Sequence, residues 1–276
     1  MIAALLRSGT DQQLLAVKTI EPESNWIKLD APRYITTIQF ASQGHDLFLT
    51  HSNVEVDKDI LMRWNLDTPH VPPKKIYEAH HLWYPTEVSP GQILVRSGRP
   101  FNSDKKRTHP QWVLLDSNNK ETPIPGATDF FRNPSILRSG FFWINNLKMG
   151  KNEDGHPMVM SFPLPGGVAP VIPRELLDDR TYHLYCDRTG ARCLRKHVLQ
   201  QNGPYVYDVD VLYDRQQCQI KGVAGFPDYL SISPDGLAAV MSFATAYAEP
   251  RRIIVMKFES NSCEAKSVQY IQFIEQ

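Results

Sequence analysis

Short apolar runs rich in β-branched and aromatic residues, broken by turn residues, recur along the chain and are clearest between Tyr229 and Val268. There the runs 229–232, 237–243 and 253–258 are separated by Pro234-Asp235-Gly236, by a loop ending in proline and by an Asn-Ser turn. Runs of this length with turn signals between them predict a meander of β-strands. The opening residues repeat the theme. IAALLRSGTDQQLLAVKTIEPESNWIKL lies over LAAVMSFATAYAEPRRIIVMKFESNSCEAKSV with small gaps, matching Glu23-Ser24-Asn25 to Glu259-Ser260-Asn261. The chain therefore begins at the second strand of such a unit.

Further units follow in order. Residues 35–78 turn at Gly44 and carry a Trp-containing third strand; 83–126 turn at Ser89-Pro90-Gly91 and place a third strand at 111–115. Residues 134–173 turn at Gly140 and carry PMVMSFPL, while 183–223 turn at Gly190 and carry YVYDVDVLY. With Gly236 the turn glycines are spaced by 47, 49, 50 and 46 residues. A repeat of that length, made of short strands without helical periodicity, fits one blade of a β-propeller. The glycine is expected in the tight hairpin between the two innermost strands, where a central position needs positive φ.

The predicted fold is all-β: a six-bladed β-propeller of four-stranded antiparallel blades forming a single domain over residues 1–276. Its blades are about 1–30 plus 270–276, 35–78, 83–126, 134–173, 183–223 and 229–268. The C-terminal YIQFIEQ is one strand too many for the last blade, and the first blade lacks its innermost strand. Residues 270–276 are therefore expected to close the first blade, which would remove an open sheet edge.

SISPDGLAAVMSF, echoed by EVSPGQILVRSG and IQFASQGHDLFLTHS, is similar to the repeat of TolB-type propellers, a relative of the WD repeat that also lines the propeller of prolyl oligopeptidase-like enzymes. The resemblance implies a fold and carries no catalytic residue onto this sequence, because such propellers share turns and core positions rather than an active site. The chain has no hydrolase domain and no G-x-S-x-G elbow, and lacks sialidase-type aspartate boxes and the YWTD pattern of receptor propellers.

Composition narrows the partners. With 276 residues, 42% hydrophobic and 22% charged, the chain can bury a sizeable core. Thirty basic residues balance thirty acidic ones, so no global field draws the protein onto nucleic acid or anionic lipid. No apolar run reaches membrane-spanning length, so no membrane insertion is expected. The start, MIAALLRSGTD, has no basic leader. This places the protein in the cytoplasm if Met1 is the native start, and in the periplasm or outside the cell if a leader was removed.

Four cysteines leave the compartment open. Cys186 and Cys193 flank DRTGAR and would sit opposite each other on a hairpin if Thr189-Gly190 is its centre. That spacing is compatible with a disulfide, and equally with two small buried thiols, the reading taken here. Cys218 and Cys263 occupy matching places, in CQIKGV and CEAKSV, which argues against their pairing.

Candidate chemistry is sparse. There is no phosphate loop, H-E-x-x-H, C-x-x-C or dinucleotide fingerprint. Glu78, His80 and His81, with His70 nearby, could contribute to a metal site, but a solvated or packing role is expected and no metal or cofactor is assigned. Asp208 and Asp210 alternate with Tyr207, Val209, Val211 and Tyr213, so the pair could bind calcium or act as acid and base. An open solvent face is the preferred reading. The PRELLDDRTY stretch, 173–182, is the one segment resembling a helical turn.

Loops joining second to third strands offer the better binding surface, because rigid sheets hold them. One is basic, GRPFNSDKKRTHP, with Arg99, Phe101, Lys105, Lys106 and Arg107; one is acidic, SNVEVDKD, with Glu55, Asp57 and Asp59; one is apolar, from Phe243 to Tyr247; and KMGKNEDGHP adds Glu153 and Asp154. Sectors of opposite charge beside aromatic anchors suit a protein partner. The expectation is a monomeric, non-enzymatic protein-binding propeller, acting as an inhibitor, an immunity-type neutraliser or an accessory protein. Its binding residues would be Arg99, Phe101, Lys105, Lys106, Arg107, Glu55, Asp57, Phe243 and Tyr247. The alternative is a propeller hydrolase or lyase acting on a sugar or lactone at the channel mouth.

Overall fold

A computed structural model describes residues 2–8, 12–19, 24–41, 45–53, 58–98, 111–126, 134–145, 157–178, 180–200, 206–220, 226–244 and 252–271. The chain divides into two compact units, Met1–Arg132 and Asn133–Gln276. In the first, β1 (Ile2–Ser8), β2 (Gln12–Lys18) and β3 (Ile27–Leu29) make sheet 1. Sheet 2 is β4 (Ile35–Phe40), β5 (Asp46–Asn53), β6 (Lys58–Asn65) and β7 (Lys74–Ala79). Sheet 3 is β8 (Leu82–Ser89), β9 (Gln92–Ser97), β10 (Gln111–Leu115) and β11 (Glu121–Pro123).

In the second unit, β12 (Ser135–Ile136), β13 (Gly140–Asn145) and β14 (Met158–Pro163) make sheet 4. A 3-10 turn at Arg174–Leu176 follows, in the segment where a helical turn was expected. Sheet 5 is β15 (Thr181–Cys186), β16 (Arg192–Gln200), β17 (Val206–Tyr213) and β18 (Gln216–Gln219). Sheet 6 is β19 (Phe226–Ile232), β20 (Ala238–Ala244), β21 (Arg252–Phe258) and β22 (Ala265–Ile271). All are antiparallel meanders in which each strand pairs with the one before it.

Sheets 2, 3, 5 and 6 are complete four-stranded blades at the positions the repeat marked out. Sheets 1 and 4 have three strands among the described residues, so the expected six four-stranded blades are not reached. Sheet 1 consists of β1, β2 and β3. The expected closure by 270–276 is corrected at its start: Tyr270 and Ile271 pair with Ile254 and Ile253 as the end of β22. Residues 272–276 lie outside the described residues.

The first strands of the four complete sheets share one detail that confirms the repeat. Each carries a register shift near its start, at Ile35/Thr37, Trp83/Thr86, Thr181/His183 and Pro227/Tyr229. A bulge there bends the strand and raises its twist. Gly91, Gly190 and Gly236 sit at φ near +73°, +76° and +73°, as a hairpin centre demands. Gly140 differs: it opens β13, and a Cβ on it would lie 2.3 Å from the Phe162 carbonyl oxygen, so close backbone approach excludes a side chain there. Gly44 lies outside the described residues.

Core residues lie between successive sheets within each unit. Leu15, Val17 and Leu29 of sheet 1 pack with Leu47, Leu49 and Trp64 of sheet 2, whose Phe48 and Leu61 pack with Val95 and Val113 of sheet 3. Sheet 5 is buried on both faces. Cys193 and Leu212 meet Phe142 and Ile144 of sheet 4, while Leu194, Val209 and Val211 meet Met241, Ile254 and Met256 of sheet 6. Each such fully buried aliphatic side chain contributes roughly 1.5–3 kcal/mol.

Turns of the second unit are stitched together as well. The amide of Arg138 donates to the Arg188 carbonyl at 2.9 Å, and the amide of Arg188 donates to the Pro234 carbonyl at 3.1 Å. Arg192, fully buried, extends from sheet 5 into sheet 6. Its guanidinium donates to the carbonyls of Gly236 (2.5 Å), Glu259 (2.6 Å) and Ser262 (2.7 Å), between the rings of Tyr213 and Phe258.

Both cysteine readings need correction. Cys186 and Cys193 are directly opposite, as the turn required, and they form a disulfide. Cys218 and Cys263 are also bonded, with Cα atoms 5.7 Å apart. Their apparent equivalence misled because Cys218 sits within β18, while Cys263 sits in the bend before β22. The offset brings neighbouring sheets within bridging distance. Among the described residues no helix is long and apolar enough to cross a membrane.

Candidate functional site

A buried polar cluster stands on the sheet 5 face that looks toward sheet 4. Arg195 and His197 are two apart on β16, so they share a face, and Arg195 is directly opposite Asp210 of β17. Arg195 donates to Asp210 as a fork, Nε to Oδ1 at 3.2 Å and Nη2 to Oδ2 at 3.0 Å, a geometry in which charge and direction reinforce each other. His197 Nε2 lies 2.8 Å from the same Oδ2, and Gln217 of β18 donates to it at 2.6 Å. The exposures are 2% for Asp210, 4% for Arg195 and 6% for His197.

A fourth member comes from the segment after the 3-10 turn. Asp178 Oδ2 is 3.3 Å from His197 Nδ1 and 4.0 Å from Arg195 Nη1, which also donates to the Leu176 carbonyl at 3.2 Å. Asp178 accepts from the Thr181 hydroxyl at 2.9 Å. His197 thus hydrogen-bonds Asp210 through Nε2, while its buried Nδ1 lies near Asp178 without a hydrogen-bond partner among the described residues. Burial pushes the Asp210 carboxyl upward, but the hydrogen bonds and charges of His197 and Arg195 outweigh it and hold it below the usual range. For Asp178 burial again pushes upward, and the Thr181 hydrogen bond with the charges of His197 and Arg195 brings it below its ordinary value.

The solvent-face reading of Asp208 and Asp210 is thereby overturned for Asp210. Alternation along β17 was read correctly, but a strand whose sheet is packed on both faces has no open side. Arg195, His197 and Asp178 were missed altogether. The available signal was Arg195 and His197 at i and i+2 in RCLRKHV, facing a strand with Asp208 and Asp210 at the same spacing: opposite charges on facing strands.

Other predicted residues fall as follows. Arg99, Phe101, Lys105, Lys106, Arg107, Glu55, Asp57, Glu153, Asp154 and Tyr247 lie outside the described residues. Phe243 is 1% exposed in β20, packed in the core with Met241 and Ile254, so it is a packing residue and not a loop anchor. Asp59 accepts from the Ser52 hydroxyl at 2.7 Å and the Leu82 amide at 2.8 Å, joining sheets 2 and 3. The suggested metal set does not converge: Glu78 is held by Lys58 at 2.9 Å and by Lys75, and the His81 ring stacks on Trp83. Among the described residues no three His, Cys, Asp or Glu side chains are placed to hold a metal ion. His70 lines a shallow cavity of about 280 Å³ with Trp64, Ile27, Lys28, Asp30, Pro69 and Pro72.

No protein-family model matches the chain, and no curated protein matches its sequence. Solved structures do resemble it. TolB from Acinetobacter baumannii is 12% identical with a TM-score of 0.65, covering 97% of this chain and 65% of that one. A putative TolB from Agrobacterium tumefaciens is 14% identical with a TM-score of 0.54, covering 89% and 85%. An oligogalacturonate lyase in complex with manganese is 11% identical with a TM-score of 0.50, covering 90% and 74%. The chain is thus a TolB-like all-β propeller with four-stranded antiparallel blades, spanning just under two thirds of the Acinetobacter TolB chain. At these identities the likeness establishes fold alone.

Proposed function

We propose that the chain is a non-enzymatic, protein-binding β-propeller, acting as an inhibitor, an immunity-type neutraliser or an accessory protein through its loops. In this reading the six sheets are the six blades of one domain, and residues beyond Ile271 supply the innermost strand that sheet 1 lacks. The carrying observation is the closed state of the sheet 5 polar centre. Asp210 is spent beneath the surface on Arg195, His197 and Gln217, as a structural element uses such a group, and the partly exposed Asp178 lies beside Arg195 and His197 at its margin. A hydrolase or lyase would instead keep an acid and a base within reach of substrate, and His197 is covered. Recognition then rests with the connections, where Arg99, Lys105, Lys106 and Arg107, with Phe101 among them, oppose Glu55 and Asp57 in sign.

The test is affinity capture from lysate of the source organism with mass-spectrometric identification. It is run beside a variant in which Arg99, Lys105, Lys106 and Arg107 are changed to glutamate. A stoichiometric partner retained by the unmodified chain and lost by the variant supports the proposal; equal retention by both, or no specific partner, overturns it.

A further inference from the structure

All four cysteines of the chain are bonded, and the two bridges lie on opposite faces of sheet 5. Cys186 and Cys193 sit with Phe142, Ile144 and Leu212 in the core toward sheet 4, while Cys218 and Cys263 sit with Ile220 and Phe258 in the core toward sheet 6. In each pair one cysteine is covered, Cys193 at 1% and Cys263 at 3% exposure, and its partner is half-buried. The second bridge crosses the boundary that Arg192 also spans, its guanidinium donating to the carbonyl of Ser262, the residue before Cys263.

Cysteines set in pairs serve a metal, a reactive dithiol or a structural cross-link. A metal site would gather them, whereas these pairs are kept apart by the thickness of a sheet, and among the described residues no three His, Cys, Asp or Glu side chains are placed to hold an ion. A catalytic or sensing dithiol needs an attackable sulfur and is often C-x-x-C. The sequence has no C-x-x-C, and both bridges are set into core clusters. Structural cross-linking is what this placement suits. Four cysteines allow three connectivities, and the chain uses the one that joins neighbours in sequence, first with second and third with fourth. Bonds formed in the order the cysteines emerge need no reshuffling.

Structural disulfides form and persist in oxidising surroundings, while those of the cytosol are mostly transient. We infer that the chain is the substrate of a disulfide oxidant and completes its folding outside the reducing cytosol. In each pair one thiolate attacks a sulfur of the oxidant's disulfide and displaces the other sulfur as a thiol. The second thiolate then attacks the mixed disulfide and releases the oxidant as a dithiol, so each pair gives up two electrons and two protons. The inference uses no loop residue and stands apart from the protein-binding reading, but it sets any loop partner in the same compartment.

Source cells quenched in acid, denatured and treated with a maleimide-linked polyethylene glycol report the thiols as they stood in the cell. The chain should carry no adduct as quenched and four after dithiothreitol, and fractionation should recover it with the periplasmic or secreted proteins. In a second arm the full chain is made in a bacterial host, once in the cytosol and once exported through a cleavable leader, with thiols alkylated at lysis. The exported product should carry no alkyl group and melt at a higher temperature than the cytosolic one, and dithiothreitol should erase the difference. Cys→Ser at both 218 and 263 should remove the larger part of it. Adducts on the chain quenched in its own cells, recovery in the cytosolic fraction, or an exported product that melts no higher than the cytosolic one would each overturn the inference.

Discussion

Replacing Asp210 with alanine tests the buried centre of sheet 5. The substitution removes both prongs of the Arg195 fork, the acceptor for His197 at 2.8 Å and that for Gln217 at 2.6 Å. Arg195 is then left beneath the surface with the Leu176 carbonyl at 3.2 Å and Asp178 at 4.0 Å. An uncompensated buried charge of this kind costs about 3–5 kcal/mol. The converse change, Arg195→Met, leaves Asp210 still accepting from His197 and Gln217, and should cost about 1–3 kcal/mol. A variant carrying both Arg195→Met and Asp210→Leu removes the pair together, and should be more stable than Asp210→Ala alone. Native-state hydrogen exchange is the suitable assay, because it reports β15–β17 separately from the first unit. A loss below about 1 kcal/mol for Asp210→Ala, or equal losses for the two single changes, would refute the argument that this is a mutually dependent ion cluster.

Further expectations follow from the same geometry. Gly236→Ala meets two penalties, a φ near +73° and a Cβ 2.5 Å from Asp187 Oδ2, whereas Gly190→Ala meets positive φ with only Leu137 at 3.6 Å. Denaturant melts should show about 1–2 kcal/mol for Gly190 and a larger loss for Gly236. Opening Cys218–Cys263 by Cys→Ser at both positions frees a 45-residue span and should cost about 4 kcal/mol, against about 2 kcal/mol for the 7-residue span of Cys186–Cys193. Equal costs would contradict the chain-entropy reasoning. Asp210 and Asp178 both sit below their ordinary values, so each adds stability that is present above about pH 4, the unfolded carboxyl range. That stability is lost as pH falls through their lower folded values, and Asp210→Asn should flatten the acid limb of a stability–pH profile. The Glu78 carboxyl, lowered to about 2 by the hydrogen bonds of Lys75 and then Lys58, should move upward in an NMR titration when salt screens those cations.

The repeat was legible because it rests on local chemistry. Gly91, Gly190 and Gly236 mark hairpins by a backbone demand that only certain residues meet, and the strands between them alternate as expected. What the sequence hid was contact between units of the repeat. Phe243 read as a loop anchor because the apolar run continues past it to Tyr247 and hides where the strand ends, yet it packs into the core as the penultimate residue of β20. Asp210 read as solvent-facing because a neighbouring sheet leaves no mark on the strand it covers. Cys218 and Cys263 read as equivalent because an offset of a few residues in where each falls relative to its strand is invisible until the register is known. The centre formed by Asp178, Arg195, His197 and Asp210 draws on two strands and the segment after a 3-10 turn, so no linear motif could announce it.

The most direct test of the functional reading is hydrogen exchange of the chain alone and of the chain bound to its captured partner. The reading expects slowed exchange in residues 99–110 and 54–57, with β16 and β17 unchanged. Slowed exchange centred on β16 and β17 around Arg195, His197 and Asp210, with the two loops unaffected, would contradict it.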